Sequence, residues 1–516
     1  MRRRGNLMEK GTMPDLRFRA RRLSQAPWSI FASASLLAVA GVSCGDSTPP
    51  EADLGTEAGA SERAASSPQG ASEDVSAAAD FPGGAIPEGL VADQPNILII
   101  TIDTLRADHL DFQGYPRPTS PCLAALAAES VVFDAAYAPI ATTLPSHTSM
   151  FTGVSPHEHG VLANISDGRT YQRREDLVTL AEFFRRSGYA TEAVVAAFPL
   201  DPQFGLDAGF DGYSAPDKKQ RPAKANTDEA LSALDRLATS ERPGFLWVHY
   251  FDPHGPYNPP YKFEIKFRMD EPMRAYLKER DFSERAQRPT GHWNELEEGI
   301  DRYDGEIAYT DFQIQRLLKK AEEAGFLDAA IVAVLADHGE GLNQHGVPGH
   351  GLTWEEQLHV PMLLKIPGVT ARRISWPASL VDFAPTLLHV LDLPGKADFL
   401  RQVTGIDRFD SSVVHADSRI LGQSSPRQSA SAEIGYSLRA DRWKLHVNES
   451  GEASLYDLTD DPFELEDLAN ERERVVTKLR AELEGMILVQ RRDVRTMEAS
   501  DDVKADMKAL GYGGDR

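Results

Sequence analysis

The sequence has few cysteines, a shortage of basic residues and almost no long apolar runs. Its 516 residues include two cysteines, Cys44 and Cys122, too few for a disulfide scaffold or a four-thiolate zinc site. Lysine and arginine number 55 against 78 aspartates and glutamates, and the formal net charge is −23. Such an acidic chain lacks the basic surface that neutralises nucleic-acid phosphates, so we expect no nucleic-acid partner. Only a segment near the N-terminus is apolar enough to enter a membrane.

The composition is otherwise that of a folded protein. Hydrophobic residues make up 41% of the chain, which excludes a wholly disordered or collagen-like polypeptide. A single hydrophobic core rarely grows beyond about 250–300 residues. The length therefore indicates one large domain with a smaller companion.

The first 44 residues have the order of a signal peptide. A basic opening precedes an apolar stretch over residues 30–42, shorter than the ~20 residues of a membrane-spanning helix. Small residues then lead to Cys44, and this arrangement resembles a bacterial lipoprotein cleavage site, although Gly41 stands where leucine is usual. We predict a signal peptide over 1–44, membrane attachment through an N-terminal lipid anchor at Cys44, and an extracytoplasmic, periplasmic location. Plain secretion and an uncleaved anchor are the alternatives.

Residues 45–94 are rich in alanine, serine, proline, glycine and acidic residues and contain almost no large apolar side chains. Such a segment cannot bury enough surface to offset its chain entropy. We predict a disordered acidic linker over 45–94. Removal of the signal peptide would take away eight basic and two acidic residues, so the mature chain would carry a net charge of −29.

Apolar runs alternate with helical patterns over residues 95–367. The runs, each typical of a strand buried on both faces, are Ile97–Ile102, Thr191–Ala197, Phe245–Phe251 and Ile331–Ala336. The helical patterns are Cys122–Glu129, Leu177–Arg186, Asn226–Ala238 and Asp304–Ala324. This alternation predicts an α/β fold in which a mostly parallel central sheet is flanked by helices.

The pattern changes after about residue 368. Arg439–Val447 and Ala453–Leu458 are typical of antiparallel strands, and Glu464–Leu488 is typical of a long helix. We predict a smaller C-terminal α+β domain over 368–516 that completes the fold of the large domain over 95–367.

Polar side chains follow several of the predicted strands. Asp103 follows the first run and Asp337-His338 the fourth, while Asp252-Pro253-His254 follows the third. In open α/β sheets, ligands bind outside the carboxyl ends of the strands. Two carboxylates and an imidazole, from Asp103, Asp337 and His338, suit a divalent ion such as Ca²⁺, Mg²⁺, Mn²⁺ or Zn²⁺. The sequence therefore predicts one divalent metal ion at this edge.

A second polar segment surrounds Thr143. Thr142 or Thr143 can cap a helix, Pro145 suits its first turn, and the residues up to Phe151 continue the helical pattern. A hydroxyl group at a helix N-terminus faces free backbone N–H groups and the positive end of the helix dipole, where an anion would bind.

The stretch Asn96–Asp108 strongly resembles the opening motif of the sulfatase family within the alkaline phosphatase superfamily. Further matching motifs include Thr143–Gly153, Trp247–Tyr257 and Ala336–Gly346, and the resemblance extends over roughly residues 95–470. It implies a metal-dependent ester hydrolase that forms a covalent intermediate.

The resemblance assigns roles to individual residues. It implies that Asp103, Asp337 and His338 bind the metal and that Thr143 is both a metal ligand and the nucleophile. His147 stands where an arginine is usual. The remaining catalytic candidates are His254, which matches a histidine that contacts the ester anion, and His350, which lies near the position of a lysine.

Two departures from the family pattern change the expected substrate. Sulfatases proper carry cysteine or serine at the position of Thr143 and oxidise it to formylglycine, whereas a threonine cannot yield an aldehyde, so no formylglycine is expected. Thr104 replaces the second carboxylate of the usual Asp-Asp pair. A threonine nucleophile resembles the nucleotide pyrophosphatase/phosphodiesterase branch.

The departures favour a phosphoester over a sulfate ester in a small-molecule, glycan or lipid substrate. A phospho-group transferase and a non-catalytic binder of sulfated or anionic glycans are the alternatives.

Overall fold

The computed structural model describes residues 84–91, 94–166, 168–216, 220–280, 296–410, 412, 419–426, 435–448, 450–488 and 494–509. The predicted signal peptide and the predicted linker up to residue 83 lie outside the described residues. Among those that are described, no helix combines the length and apolar character needed to cross a membrane.

The strands of the described residues lie in three sheets. Their bounds are β1 Ile97–Ile102, β2 Val131–Tyr137, β3 Arg169–Gln172, β4 Ala190–Val194, β5 Gly212–Ser214, β6 Gly244–Tyr250, β7 Ile331–Ala336, β8 His359–Lys365, β9 Arg372–Ile374, β10 Ala378–Ser379, β11 Ile420–Gln423, β12 Tyr436–Ala440, β13 Trp443–Val447, β14 Ala453–Asp457 and β15 Arg495–Glu498.

The helices connect and cover these strands. The α-helices are α1 Pro121–Ala127, α2 Thr143–Thr152, α3 Pro156–His159, α4 Leu180–Arg186, α5 Ala223–Ala238, α6 Tyr261–Glu264, α7 Glu271–Glu279, α8 Leu296–Glu323, α9 Glu355–Leu358, α10 Phe383–His389, α11 Lys396–Leu400, α12 Glu473–Leu488 and α13 Asp501–Ala509. Short 3-10 helices occupy Ala107–His109, Asp111–Gln113, Phe198–Leu200, Pro202–Phe204, Gln344–Gly346 and Leu380–Asp382.

The largest sheet in the described part of the chain has the strand order β10-β2-β8-β7-β1-β6-β4-β5, with β9 also paired to β2. Most neighbours are parallel, and β8 runs antiparallel to both β2 and β7. β1 lies at the centre between β6 and β7, and every residue of these three strands is buried. The predicted α/β fold with a mostly parallel central sheet is confirmed.

The predicted elements of the large domain are present with shifted ends, by up to eight residues at the start of α8. β1 and β7 have the predicted bounds, and β4 and β6 begin one residue earlier than predicted. These strands are predictable because burial on both faces requires continuous apolar runs. The helical patterns correspond to α1, α4, α5 and α8.

The chain returns to the large sheet after residue 368. β9 and β10 pair with β2, and Phe383 and Leu387 of α10 are buried in the same hydrophobic core as β1. The boundary at 367/368 remains a prediction.

Part of the predicted linker belongs to this fold. The side chain of Ile86 is buried, its carbonyl contacts His389 Nε2 at 2.9 Å, and the backbone N–H of Val91 donates to the Val390 carbonyl. Residues 84–91 therefore pack on α10, because apolar side chains within the acidic segment, such as Ile86, are buried in the core.

The C-terminal domain contains an antiparallel sheet with the order β11-β12-β13-β14, covered by α12. The prediction of one strand over Arg439–Val447 is wrong. Asp441 adopts a left-handed φ of 52°, and the chain turns there, so β12 ends at Ala440 and β13 begins at Trp443. The predicted pairing of β13 with the next strand across residues 448–452 is present.

The predicted helix over Glu464–Leu488 begins nine residues late, at Glu473. The Asp461 carboxylate accepts hydrogen bonds from the backbone N–H groups of Leu465 and Glu466. This side chain offers the backbone an alternative to helical hydrogen bonds, so residues 461–466 form a turn.

A buried ionic cluster joins this domain to α9. Lys444 of β13 is 2% exposed, and its Nζ lies 2.9 Å from Glu355 Oε1 and 3.1 Å from Glu464 Oε1. His446 Nε2 also contacts Glu464 Oε1 at 2.6 Å. The cluster fixes the start of α9, a few residues after His350.

Candidate active site and metal centre

Several of the predicted site residues meet at the carboxyl edge of the large sheet. Asp103 directly follows β1, while Asp337 and His338 follow β7, the strand paired with β1. Thr143 is the first residue of α2. All of these side chains are completely buried. Their positions in the fold agree with the rule that ligands of parallel sheets lie beyond the carboxyl ends of the strands.

Asp103, Asp337 and His338 form a compact cluster. Each offers a ligand atom within 4.8 Å of the other two. His338 Nε2 lies 3.6 Å from Asp103 Oδ1 and 3.5 Å from Asp337 Oδ2. Because His338 Nδ1 donates to the Gly339 carbonyl at 2.9 Å, the neutral ring directs the lone pair of Nε2 toward both carboxylates.

This cluster fits a divalent cation. Within the described residues, both Asp103 oxygens, Asp337 Oδ2 and His338 Nε2 are buried without a hydrogen-bond partner. Burial raises the pKa of both carboxyl groups well above their usual range, and for Asp337 the nearby Asp103 adds to the shift. Burial also lowers the pKa of His338. Buried like charges with orphaned oxygens are stabilised by a bound metal ion.

The hydroxyl group of Thr143 belongs to the same site. It is buried. The Thr143 hydroxyl and the Thr104 N–H both lower the pKa of Asp103 and so partly offset the effect of burial, although neither group makes a hydrogen bond of standard geometry to that carboxylate. Two contacts fix the first turn of α2 here. Ser146 Oγ donates to the Asp337 carbonyl at 2.6 Å, and Leu144 N–H donates to Asn164 Oδ1 at 2.8 Å.

Thr104 adopts an unusual backbone conformation beside Asp103. Its φ is 54°, in the left-handed region that β-branched residues rarely occupy. In this conformation its N–H group donates to Asp337 Oδ1 at 3.2 Å. Strain of this kind, about 1–3 kcal/mol, persists where the surrounding structure enforces it. The hydrogen bond links the ends of β1 and β7.

His147 lies beneath Thr143 with both ring nitrogens engaged. Nδ1 contacts the Thr143 carbonyl at 2.8 Å, and Nε2 contacts Thr101 Oγ1 at 3.0 Å. Burial, together with the neighbouring His249, holds the pKa of His147 well below its usual range. His147 is therefore neutral, unlike the arginine whose position it occupies.

A second group of possible metal ligands, His147, His249 and Asp337, overlaps the first. His249 Nδ1 accepts a long contact of 3.4 Å from the Ala196 N–H, which places the ring proton on Nε2. Burial lowers the pKa of His249 to about 3. Neither histidine in this group directs a free lone pair at Asp337, so the first cluster is the better metal site.

His254 and His350 lie together at the partly exposed mouth of the site. Each Nδ1 contacts a backbone carbonyl, that of Gly255 at 2.7 Å and that of Ala141 at 2.9 Å, and the two Nε2 atoms are 3.3 Å apart. A hydrogen bond between the rings therefore requires one extra proton. Burial lowers the pKa of His350 to about 4, and an anion bound beside the rings would favour that proton.

The His254 segment is tied to α5 and α8 through two carboxyl groups. Asp252 Oδ2 accepts from the Ala223 N–H at 2.6 Å, and Glu306 Oε1 accepts from the Asn258 N–H at 2.7 Å. Burial and the neighbouring Asp252 raise the pKa of Glu306 to about 9. At neutral pH the pair therefore holds a proton.

The family model for sulfatases, described as Sulfatase, matches residues 95–393, which is more than half of the chain. The chain belongs to the sulfatase family. Sulfatases usually bind a divalent metal ion, and the buried Asp103–Asp337–His338 cluster offers a site for one.

Curated relatives from this family share about a quarter of their residues with the chain. Human (Homo sapiens) iduronate 2-sulfatase is 25% identical over 339 residues, which cover 54% of this chain and 61% of the relative. The arylsulfatase of Clostridium perfringens is 24% identical over 456 residues, which cover 74% of this chain and 91% of the relative. The chain thus spans about three fifths of the length of the human relative.

Solved structures share the sulfatase fold. yidJ of Bacteroides fragilis, a protein assigned to the sulfatases, matches with a TM-score of 0.66 at 19% identity and covers 76% of this chain and 95% of its own. The phosphonate monoester hydrolase of Agrobacterium radiobacter matches with a TM-score of 0.60 at 19% identity and covers 77% and 96%.

Several residues of this sulfatase site were not predicted from the sequence. Thr101 and His249 lie within β1 and β6, where their apolar neighbours indicate only a buried strand. Asn164 begins a glycosylation-type tripeptide, yet its side chain is buried against α2. No local pattern distinguishes these residues, because their partners are distant in sequence.

Proposed function

We propose that this sulfatase-family chain hydrolyses phosphate or sulfate esters, with phosphoesters favoured, through Thr143 as nucleophile. The observation that carries the proposal is the buried hydroxyl of Thr143, which has no hydrogen-bond partner among the described residues and faces Asp103 at the start of α2. A nucleophile in this position is close to a metal cluster and to the positive end of a helix.

In the first half of the reaction, different residues of the chain hold the metal, attack the ester and protonate the leaving group. Asp103, Asp337 and His338 would hold the metal, and a bound divalent ion supplies positive charge that lowers the pKa of a hydroxyl beside it. The Thr143 hydroxyl gives its proton to a water molecule in the site, its Oγ attacks phosphorus or sulfur, and the bond to the leaving alcohol breaks. The leaving oxygen takes a proton from the His254–His350 pair.

The second half of the reaction releases the ester formed on Thr143. A water molecule loses its proton to the same histidine pair and attacks phosphorus or sulfur, and the proton on the pair is thereby restored. The bond to Thr143 Oγ breaks, and Oγ takes back a proton from water and returns to its starting state. Both histidines are partly exposed, so water and the leaving alcohol can reach them.

The preference for phosphoesters rests on the chemistry of threonine. Oxidation to formylglycine requires a CH₂ group beside the reactive atom, and the β-methyl group of Thr143 removes that possibility. The site must therefore act through an alcohol, which gives an ordinary ester intermediate that water attacks at the central atom. The metal ion and the extra proton on His254 and His350 would supply the positive charge for the anionic substrate.

The experiment compares the wild-type protein with two threonine variants on an aryl sulfate, a phosphate monoester, a phosphodiester and a phosphonate monoester. We expect Thr143→Ala to lose at least about 1,000-fold in kcat/KM on the substrate that the wild type turns over. Thr152→Ala is the matched control, since Thr152 is also buried in α2 and its hydroxyl donates within the helix, to the Thr148 carbonyl.

Equal background rates for all three proteins on every substrate would contradict the hydrolase and favour the glycan binder. Transfer of the phospho group to an added alcohol with no hydrolysis would favour the transferase.

We further infer from the sequence that the protein is exported and held to a membrane through Cys44. Mass spectrometry of the purified protein is expected to find the mature N-terminus at Cys44 with attached acyl chains. An unmodified N-terminus at any other residue would contradict the lipid anchor.

A further inference from the structure

A continuous chain of hydrogen bonds runs beneath the candidate nucleophile. Trp247 Nε1 lies 2.9 Å from Thr101 Oγ1, Thr101 Oγ1 lies 3.0 Å from His147 Nε2, and His147 Nδ1 lies 2.8 Å from the Thr143 carbonyl oxygen. The side chains of Trp247, Thr101 and His147 are all completely buried. It connects the centre of β6, through β1, to the first residue of α2.

The chemistry of its two ends fixes the direction of every hydrogen bond. An indole N–H can only donate, so Thr101 Oγ1 accepts from Trp247 and its own proton is directed to His147 Nε2. A carbonyl oxygen can only accept, so His147 Nδ1 carries the ring proton and donates to Thr143. His147 is thereby held as a single neutral tautomer, and neither ring nitrogen is left to bind a metal ion or a substrate anion.

The Thr143 carbonyl is one of three points at which the first turn of α2 is fixed. The other two are Leu144 N–H, which donates to Asn164, and Ser146 Oγ, which donates to the Asp337 carbonyl. Both of these contacts lie on the C-terminal side of Thr143, one and three residues along the helix. The His147 ring N–H adds a side-chain donor to the Thr143 carbonyl and so constrains the peptide group next to the residue that carries the hydroxyl.

We propose that His147 is a positioning residue that acts through Thr143: its Nδ1–H fixes the Thr143 carbonyl and thereby directs the Thr143 hydroxyl toward Asp103. It does not replace the positive charge of the arginine that the family carries at this position. The proposal rests on Thr143 as the nucleophile, and it adds the residue that orients this nucleophile.

Four substitutions of His147 separate orientation from charge and from simple packing. Asparagine places an amide N–H near the position of Nδ1 and should still reach the Thr143 carbonyl. Glutamine places its amide near Nε2, and leucine has no donor at all. Arginine restores the family residue and its charge.

We expect His147→Asn to retain kcat within about tenfold of the wild type, since a single neutral hydrogen bond of altered geometry is at stake. His147→Gln and His147→Leu should lose about 100-fold in kcat with little change in KM. A displacement of the nucleophile by about 1 Å is enough to lower the rate of the chemical step by that factor. The pH profile of His147→Asn should match that of the wild type. His147→Arg should be as impaired as His147→Leu.

Binding of Mn²⁺, followed by titration calorimetry, provides a readout that does not depend on turnover. We expect His147→Asn to bind Mn²⁺ like the wild type. His147→Leu should bind Mn²⁺ about tenfold more weakly, or its backbone amides at residues 143–146 should exchange faster than those of the wild type. Guanidinium unfolding identifies any variant that fails to fold, and His147→Gln then takes the place of His147→Leu.

Two results would overturn the proposal. One is an Asn variant as impaired as the Leu variant in both kcat and amide exchange, which would indicate packing alone. The other is an Arg variant equal to or faster than the wild type, which would indicate a role for charge. If the wild type turns over none of the esters, the proposed function fails, and the Mn²⁺ and amide-exchange measurements still decide the role of His147.

Discussion

Asp103→Asn is expected to make the protein more stable in the absence of divalent metal and less stable in its presence. Asp103 and Asp337 are completely buried, and their ligand atoms lie within 4.8 Å of each other. Asparagine has nearly the same shape as aspartate but carries no charge, so Asp337 no longer faces a second carboxylate. The same change removes one oxygen ligand of the cluster.

The size of both effects follows from the structure. Two unit charges 4.8 Å apart repel by about 3 kcal/mol at an effective dielectric constant of about 20. Burial raises the pKa of both carboxyl groups, so bound protons relieve part of this repulsion, and a gain of about 1–3 kcal/mol remains. Metal at about 100 times its Kd stabilises the wild type by about 2.7 kcal/mol, and the variant by less. The order of the two stabilities should therefore reverse.

The assay is guanidinium unfolding of the purified protein, in EDTA and in saturating Ca²⁺, Mg²⁺, Mn²⁺ or Zn²⁺. Asp382→Asn is the matched control, because Asp382 is also buried but pairs with Arg408 Nε at 2.6 Å. The control should lose about 3–5 kcal/mol with and without metal, since it removes the negative charge from a buried ion pair. A lower stability of Asp103→Asn in EDTA, combined with a wild type that none of the four ions stabilises, would refute the reasoning.

Two further predictions concern buried charges outside the metal cluster. Burial and the neighbouring Asp252 raise the pKa of Glu306 to about 9. Between about pH 4.5 and 9 the folded protein therefore keeps a proton that the unfolded chain has lost. Over this range the free energy of unfolding falls by up to about 1.4 kcal/mol for each unit of increase in pH. Glu306→Gln does not titrate and should flatten this slope in guanidinium unfolding at pH 6 and pH 8; an unchanged slope would contradict the assignment. Lys444→Met leaves Glu355 facing a second carboxylate and should cost about 3–5 kcal/mol by the same method. Lys478→Met, which removes an exposed lysine of a 3.8 Å ion pair, is its control and should change stability by less than about 1 kcal/mol.

The central sheet and the acidic part of the site could be predicted because each depends on a local pattern. A strand buried on both faces must be continuously apolar, and a charged residue directly after it, such as Asp103 or Asp337, marks the end of that strand. The same reasoning does not identify Thr101, which is a polar residue inside such a strand and whose hydroxyl bonds to His147 and Trp247, both distant in sequence.

The errors in the C-terminal domain have a related cause. A single left-handed residue, Asp441, divides one predicted strand into two, and the side chain of Asp461 competes with the start of a helix. Both effects depend on one residue within an otherwise regular pattern. The role of Asn164 depends on a contact with α2, twenty residues earlier, and no feature of its own segment indicates that contact.

The position of β1 between β6 and β7 has a consequence for how the site comes into being. Thr104 and Asp337, joined by a hydrogen bond at the ends of β1 and β7, are 233 residues apart in sequence. Loop-closure entropy opposes such distant pairing, so it forms slowly during folding. The ligand cluster is therefore absent from any nascent chain shorter than 338 residues, and the site becomes available to a metal ion only after the central sheet has closed.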